Sequence, residues 1–234
     1  MTTPTTVIAK PLFIDIHTHH KIPEAGAFQL RNLFPEDSLE NDIKNKFSYS
    51  VGLHPWFIQD NWEDTIGTVI LKAGNENVIA IGETGLDRSI ECSWDRQVEV
   101  FKRHISISER LRKPLILHCV RSYSDILGIR KSCKAKMPWI IHGFSGNSHI
   151  ATQCVRLGIY LSFGKGLFRE KVSKTFLSVP SEFVFFETDD DPNLEISSVY
   201  EKAAGLSGRT EDYWKSMVFK NFDNIFLKFN SYNL

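Results

Sequence analysis

Two histidines two positions apart, His17 and His19, close an apolar run in Ile14-Asp15-Ile16-His17-Thr18-His19. Ile81-Gly82-Glu83, Leu117-His118, Ile141-His142 and Phe186-Glu187-Thr188-Asp189 likewise set a metal-binding residue type at the end of a strand-like segment. Side chains alternate along an extended strand, so His17 and His19 face one side and His20 the other. Each feature alone has a bland alternative. A lone histidine after a strand is commonly structural. Glu83 could be an acid at a helix N-terminus, and Asp189, in Asp189-Asp190-Asp191-Pro192, part of a solvated turn. Convergence decides between the two accounts, because four histidines, a glutamate and an aspartate at strand ends share no structural reason to be there, whereas a metal centre requires them. Six nitrogen and oxygen ligands exceed the needs of one four-coordinate ion. The pattern therefore points to two divalent ions with Glu83 as the bridge. Such a pair activates water and stabilises the charge that develops in a displacement, which makes hydrolysis the expected reaction. With no thiolate in the set, magnesium, manganese and zinc all remain candidates.

Strands must bring these residues together. β-rich apolar runs predict strands at Leu12–Ile16, Ala27–Asn32, Phe47–Gly52, Val78–Gly82, Leu115–Leu117, Trp139–Ile141, Ile159–Phe163 and Phe183–Glu187. Helical spacing fills the intervals at Trp62–Ala73, Cys92–Arg112, Ser122–Cys133, Ser148–Leu157, Arg169–Ser178, Glu195–Gly205 and Thr210–Phe229. The interval between Asn32 and Phe47 leaves room for a helical turn or two only. Strands alternating with helices predict a parallel sheet, and eight such units predict a TIM-type (β/α)8 barrel, in which every strand's C-terminal end lies on one functional face. An open doubly wound sheet is the alternative, and it lacks that ring of strand ends.

The chain has 234 residues and no linker-like or repetitive tract, which predicts one domain over 1–234 with residues 1–10 as an N-terminal extension. The longest apolar runs are strand-sized, as in Phe183-Val184-Phe185-Phe186, so no membrane span is expected. The first ten residues lack the apolar core of a signal peptide. Cys92, Cys119, Cys133 and Cys154 form no C-x-x-C pair, which favours free thiols and a cytoplasmic location. Lys and Arg total 28 and so do Asp and Glu, and a net charge of zero argues against tight binding along duplex DNA. A monomer is the expected state.

Taken in order, Asp15-Ile16-His17-Thr18-His19, Gly52-Leu53-His54-Pro55-Trp56, Gly82-Glu83-Thr84-Gly85-Leu86-Asp87, Leu117-His118-Cys119, His142-Gly143-Phe144-Ser145-Gly146 and Glu187-Thr188-Asp189 resemble the signature motifs of the TatD family of metal-dependent hydrolases. The resemblance runs from about Leu12 to Phe229. It implies His17, His19 and Asp189 around one metal, His118 and His142 around the other, Glu83 between them, and Asp189 as the group that orients the attacking water and takes its proton. It also implies a phosphodiester substrate, DNA above all, and for some relatives the removal of D-amino acids from tRNA. His54 matches a family histidine that faces substrate. Asp87, four residues after Glu83, is expected to orient a ligand histidine through its other ring nitrogen.

Two departures stand out. Arg121 lies three residues past His118, one later than the family's usual arginine, and Val120 holds that place; Arg121 is the candidate phosphate contact. Asp190-Asp191-Pro192-Asn193 replaces the usual Ala/Ser-Pro-Tyr-Leu type of segment, and its acids should repel a polyanion unless they turn outward. Trp56 and Phe57 could stack a base. The expected function is thus a deoxyribonuclease acting on single-stranded DNA ends. The alternatives are amide or ester hydrolysis, such as D-aminoacyl-tRNA deacylation, and a non-catalytic metal-binding module.

Overall fold

The computed structural model describes residues 13–39 and 47–227. The N-terminal extension, residues 11 and 12, residues 40–46 of the short interval before Phe47 and the end of the last expected helix lie outside them. Eight strands form one sheet in sequence order with every neighbouring pair parallel. They are β1 (Phe13–Thr18), β2 (Ala27–Leu33), β3 (Ser48–Val51), β4 (Val78–Asp87), β5 (Leu115–Val120), β6 (Trp139–Ile141), β7 (Ile159–Phe163) and β8 (Val184–Phe186). The expected TIM-type barrel is the fold. β4 and β5 run on past Gly82 and Leu117, so Glu83 and His118 lie within strands rather than after them.

Seven helices cover the sheet: α1 (Trp62–Ala73), α2 (Trp94–Leu111), α3 (Tyr123–Cys133), α4 (Ser148–Arg156), α5 (Glu170–Phe176), α6 (Ile196–Ser207) and α7 (Glu211–Phe222). Local chemistry sets their starts. Ser93, Asn147 and Thr210 each accept a backbone N–H of the first turn of α2, α4 and α7, satisfying donors that have no intrahelical partner. On α2 the buried residues Val100, Phe101, His104, Ile105 and Ile107 recur at helical spacing and form the face laid against the sheet. Strands covered this way are buried on both faces, and Ile14, Ile16, Ile81, Leu115, Ile116 and Leu117 are all at or near zero exposure.

The barrel closes where β8 returns to β1. Past the end of β8, the Asp189 N–H donates to the His17 carbonyl at 3.0 Å and the Asp189 carbonyl accepts the His19 N–H at 2.9 Å. Deeper in the seam the buried Asp15 carboxylate accepts the Thr188 N–H at 3.0 Å and the Thr188 hydroxyl at 2.7 Å. Burial pushes the Asp15 carboxyl up to about 7, against the pull of the bonds from Thr188 and Gln29. Closure thus sets His17, His19 and Asp189 side by side.

Candidate metal centre

Glu83 sits where the pairing of β4 with β5 slips: Ile81 lies opposite Leu115 but Thr84 lies opposite Leu117, so β4 accommodates one extra residue. A bulge of this kind re-aims a side chain, and the carboxylate of the buried Glu83 points into the pocket at the barrel mouth. Gly82 and Gly85 flank the bulge with φ of 140° and 148°, and a Cβ on either would strike a carbonyl oxygen of β5, that of Ile116 or His118. Only glycine fits both. From β2, Asn32 Oδ1 accepts the Glu83 N–H at 2.7 Å and the Ser50 hydroxyl at 3.1 Å, which fixes the backbone behind the carboxylate.

The two oxygens of Glu83 face different partners. Oε2 lies 3.4 Å from His17 Nε2 and 3.6 Å from His19 Nε2, and Asp189 Oδ1 lies 3.4 Å and 3.8 Å from the same two nitrogens. Oε1 lies 2.8 Å from His142 Nε2, 3.0 Å from His118 Nδ1 and 3.1 Å from His54 Nε2. One carboxylate thus stands between two sets of nitrogen and oxygen donors. The six residues expected from the sequence to hold metal are brought together around Glu83.

Groups behind the ligands orient them. Asp87 Oδ2 is 3.1 Å from His118 Nε2, which leaves the Nδ1 lone pair of His118 for the centre. The same oxygen accepts the indole N–H of Trp56 at 2.7 Å, while Oδ1 accepts the backbone and hydroxyl of Ser89. Burial works to raise the Asp87 pKa, but these donors outweigh it and hold the carboxyl down at about 2. Glu187 stands behind His142, with Oε1 3.6 Å from His142 Nδ1, too far for a hydrogen bond, and accepting the Gly143 N–H at 2.6 Å. Sequence reasoning assigned Asp87 its place but gave Glu187 and Asn32 none. Asn32, beside Gln29 and Arg31 in the same strand, carries no local mark of its role.

The donor set fits a pair of cations. His17 is fully buried, and neither of its ring nitrogens has a hydrogen-bond partner; the same is true of His142 Nδ1 and Glu187 Oε2. Orphaned polar atoms are few in a folded protein, and four of them share this centre. His17, His19 and Asp189 offer ligand atoms within 4.8 Å of one another, as do His17, Glu83 and His142, and His54, Glu83 and His118. Burial opposes charge on Glu83, yet His142, His118 and His17 hold its carboxyl well below the usual range. Glu83 and Glu187 raise His142 well above its ordinary value, and Asp189 and Glu83 raise His17 to about 9, against the desolvation of both rings. Asp189 stays ionised because His17 and His142 outweigh its burial. Its φ of 55° is a conformation Asp tolerates better than most residues.

His54 combines the two roles open to it. Its Nδ1 accepts the Trp56 N–H at 3.1 Å and caps the single turn Pro55–Phe57, so the ring proton is on Nε2, aimed at Glu83. Burial lowers its pKa, so it faces the pocket as a neutral donor. The pocket holds about 270 Å³ and is lined by the centre together with Phe34, Trp56, Phe57 and Asp190. Arg121 is not brought there. It is exposed, with φ 51°, in the turn from β5 into α3, and it does not line the pocket. Of the two unusual acids, Asp191 turns to Lys165 at 2.7 Å, and Asp190 lines the mouth.

Residues 35–227 match the family described as TatD related DNase. YcfH of Escherichia coli K12, an uncharacterized metal-dependent hydrolase, is 33% identical over 218 residues, covering 86% of this chain and 79% of that one. YabD of Bacillus subtilis, described in the same terms, is 30% identical over 149 residues, which is 60% of this chain and 57% of that protein. A metal-dependent hydrolase of Buchnera aphidicola subsp. Baizongia pistaciae is 35% identical over 147 residues, again 60% of this chain but 54% of the relative, so the chain spans little more than half of these two proteins. Among solved structures, YjjV, a TatD homolog from Escherichia coli, superposes with a TM-score of 0.77 at 20% identity, covering 94% of this chain and 99% of the other. A TatD family hydrolase of Entamoeba histolytica gives 0.74 at 14% identity, over 92% and 97% of the two chains. These two likenesses establish the barrel.

Proposed function

The chain belongs to the TatD family of metal-dependent hydrolases, and from that premise we propose that it cleaves phosphodiester bonds at the ends of single DNA strands. The observation that carries the proposal is the division of Glu83, one oxygen toward His17, His19 and Asp189 and the other toward His118 and His142. Held by those two sets, a pair of divalent ions, magnesium, manganese or zinc, would supply an activated water and charge stabilisation at phosphorus. Asp189, ionised and at the open side of the cluster, orients the water and takes its proton. Glu83 holds the two halves of the centre in register. His54 faces the substrate pocket, and its Nε2 proton, which points at Glu83 Oε1, is the donor within reach of a substrate oxygen. A pocket of about 270 Å³ suits a chain end rather than a duplex. No described helix is long and apolar enough to cross a membrane, and four unpaired cysteines support a reducing, cytoplasmic setting. A monomer is proposed.

A second reading is hydrolysis of an amide or ester, as in D-aminoacyl-tRNA deacylation. It is favoured by one observation: no lysine or arginine is among the described residues lining the pocket, and Asp190 is. End-labelled single-stranded oligonucleotide, offered to metal-stripped protein with magnesium, manganese or zinc added back, separates the two. Cleavage should return with metal and be abolished in Glu83→Ala. Failure with every metal, alongside turnover of an aminoacyl ester, would replace the first reading by the second.

A further inference from the structure

Apolar rings of this size ordinarily turn inward, yet Trp56 is 61% exposed and Phe57 48% exposed beside the metal centre. The turn Pro55–Phe57, capped by His54, presents both at the pocket. Neither ring is loose. Trp56 is tied through its indole N–H to the buried Asp87 at 2.7 Å, and Phe57 meets Phe34 edge-on, with centroids 5.3 Å apart and planes at 86°. Rigid aromatic surface of this kind binds a planar partner with little ordering cost.

Charge supplies an independent observation. Nucleic-acid affinity ordinarily rests on lysine and arginine beside phosphates, but none is among the described residues lining this pocket, and Asp190 adds a carboxylate. Lys165 is engaged by Asp191. Phosphates beyond the scissile one therefore meet no fixed cation there. Building on the phosphodiesterase reading, we propose that the terminal nucleobase is recognised by stacking on Trp56 and on the Phe57–Phe34 pair. The substrate class is then very short single strands, down to dinucleotides, with specificity set at the end base and not by backbone charge.

The test compares an oligonucleotide bearing a normal terminal base, the same strand with an abasic end, and a dinucleotide, using wild type, Trp56→Gln and Phe57→Leu. The Trp56→Gln substitution keeps a donor for Asp87 and removes the ring. Wild type should prefer the base-bearing end over the abasic end about tenfold or more in kcat/KM, and in Trp56→Gln that ratio should fall to near one, chiefly through a higher KM for the base-bearing strand. Phe57→Leu should raise KM in the same direction. The dinucleotide should match longer strands. A readout independent of turnover is quenching of a terminal 2-aminopurine by the metal-loaded Asp189→Asn protein, lost when Trp56→Gln is added. Quenching without cleavage would overturn the reaction and leave stacking in place. Cleavage indifferent to the end base with no quenching, or activity that climbs with strand length and falls steeply with salt, would overturn stacking.

Discussion

Glu83 shows how single residues make this centre: its oxygens face two donor sets, and two further carboxylates stand behind the histidines of the second set. Asp87, hydrogen-bonded to His118 Nε2, fixes which nitrogen of that ring faces inward, and Glu187 lies 3.6 Å behind His142 Nδ1. Removing such a partner typically costs about 10–100-fold in metal affinity. Asp87→Asn and Glu187→Gln should each weaken binding by that factor in calorimetric titration of metal-stripped protein, with the fold retained by circular dichroism; unchanged affinity would remove both from the centre. The candidate ligands were legible because His17, His19, Glu83, His118, His142 and Asp189 all fall at or just past the ends of strand-like apolar runs. Glu187 and Asn32 were not, because their partners lie 44 and 51 residues away and nothing local marks them. Arg121 misled for the opposite reason. Its distance from His118 along the chain is close to the family's, but β5 continues to Val120 and Arg121 falls into the turn.

Elements position these residues through a few buried contacts at their ends. All eight strands and seven helices were legible from apolar runs and helical spacing. The bulge in β4 was not, since it depends on the backbone of β5 against Gly82 and Gly85. Helix α2 reaches the site through His104, which is fully buried: Nδ1 bonds to the Val100 carbonyl at 2.8 Å, so Nε2 is free to accept the Leu53 N–H at 2.9 Å, one residue before His54. Desolvation lowers its pKa from 6.5 to about 4. The unfolded chain therefore binds this proton more readily than the folded one. Its contribution to stability is complete above about pH 6.5 and is lost progressively as pH falls toward 4, by roughly 3 kcal/mol in all. Urea unfolding of metal-stripped wild type and His104→Asn across that window should give a steeper acid loss for wild type. Parallel profiles would mean that His104 does not stay neutral.

At the scale of the whole molecule, the closed barrel turns residues far apart in sequence into one centre. His17 comes from the first strand and Asp189 from just past the end of the last, and the seam through Asp15 and Thr188 holds them together. The parallel order brings Glu83, His118 and His142 to the same face. That face was legible in the sequence, as were Trp56 and Phe57 at its mouth; what only the structure adds is Phe34 against Phe57 and a lining without lysine or arginine among the described residues. Metal stoichiometry tests the centre most directly, by titrating metal-stripped wild type and Glu83→Gln with manganese or zinc and counting the ions bound per chain. Two ions are expected in wild type, and fewer than two in Glu83→Gln with oligonucleotide cleavage lost. A single ion in wild type, or two ions held with undiminished affinity after Glu83→Gln, would contradict a centre bridged by Glu83.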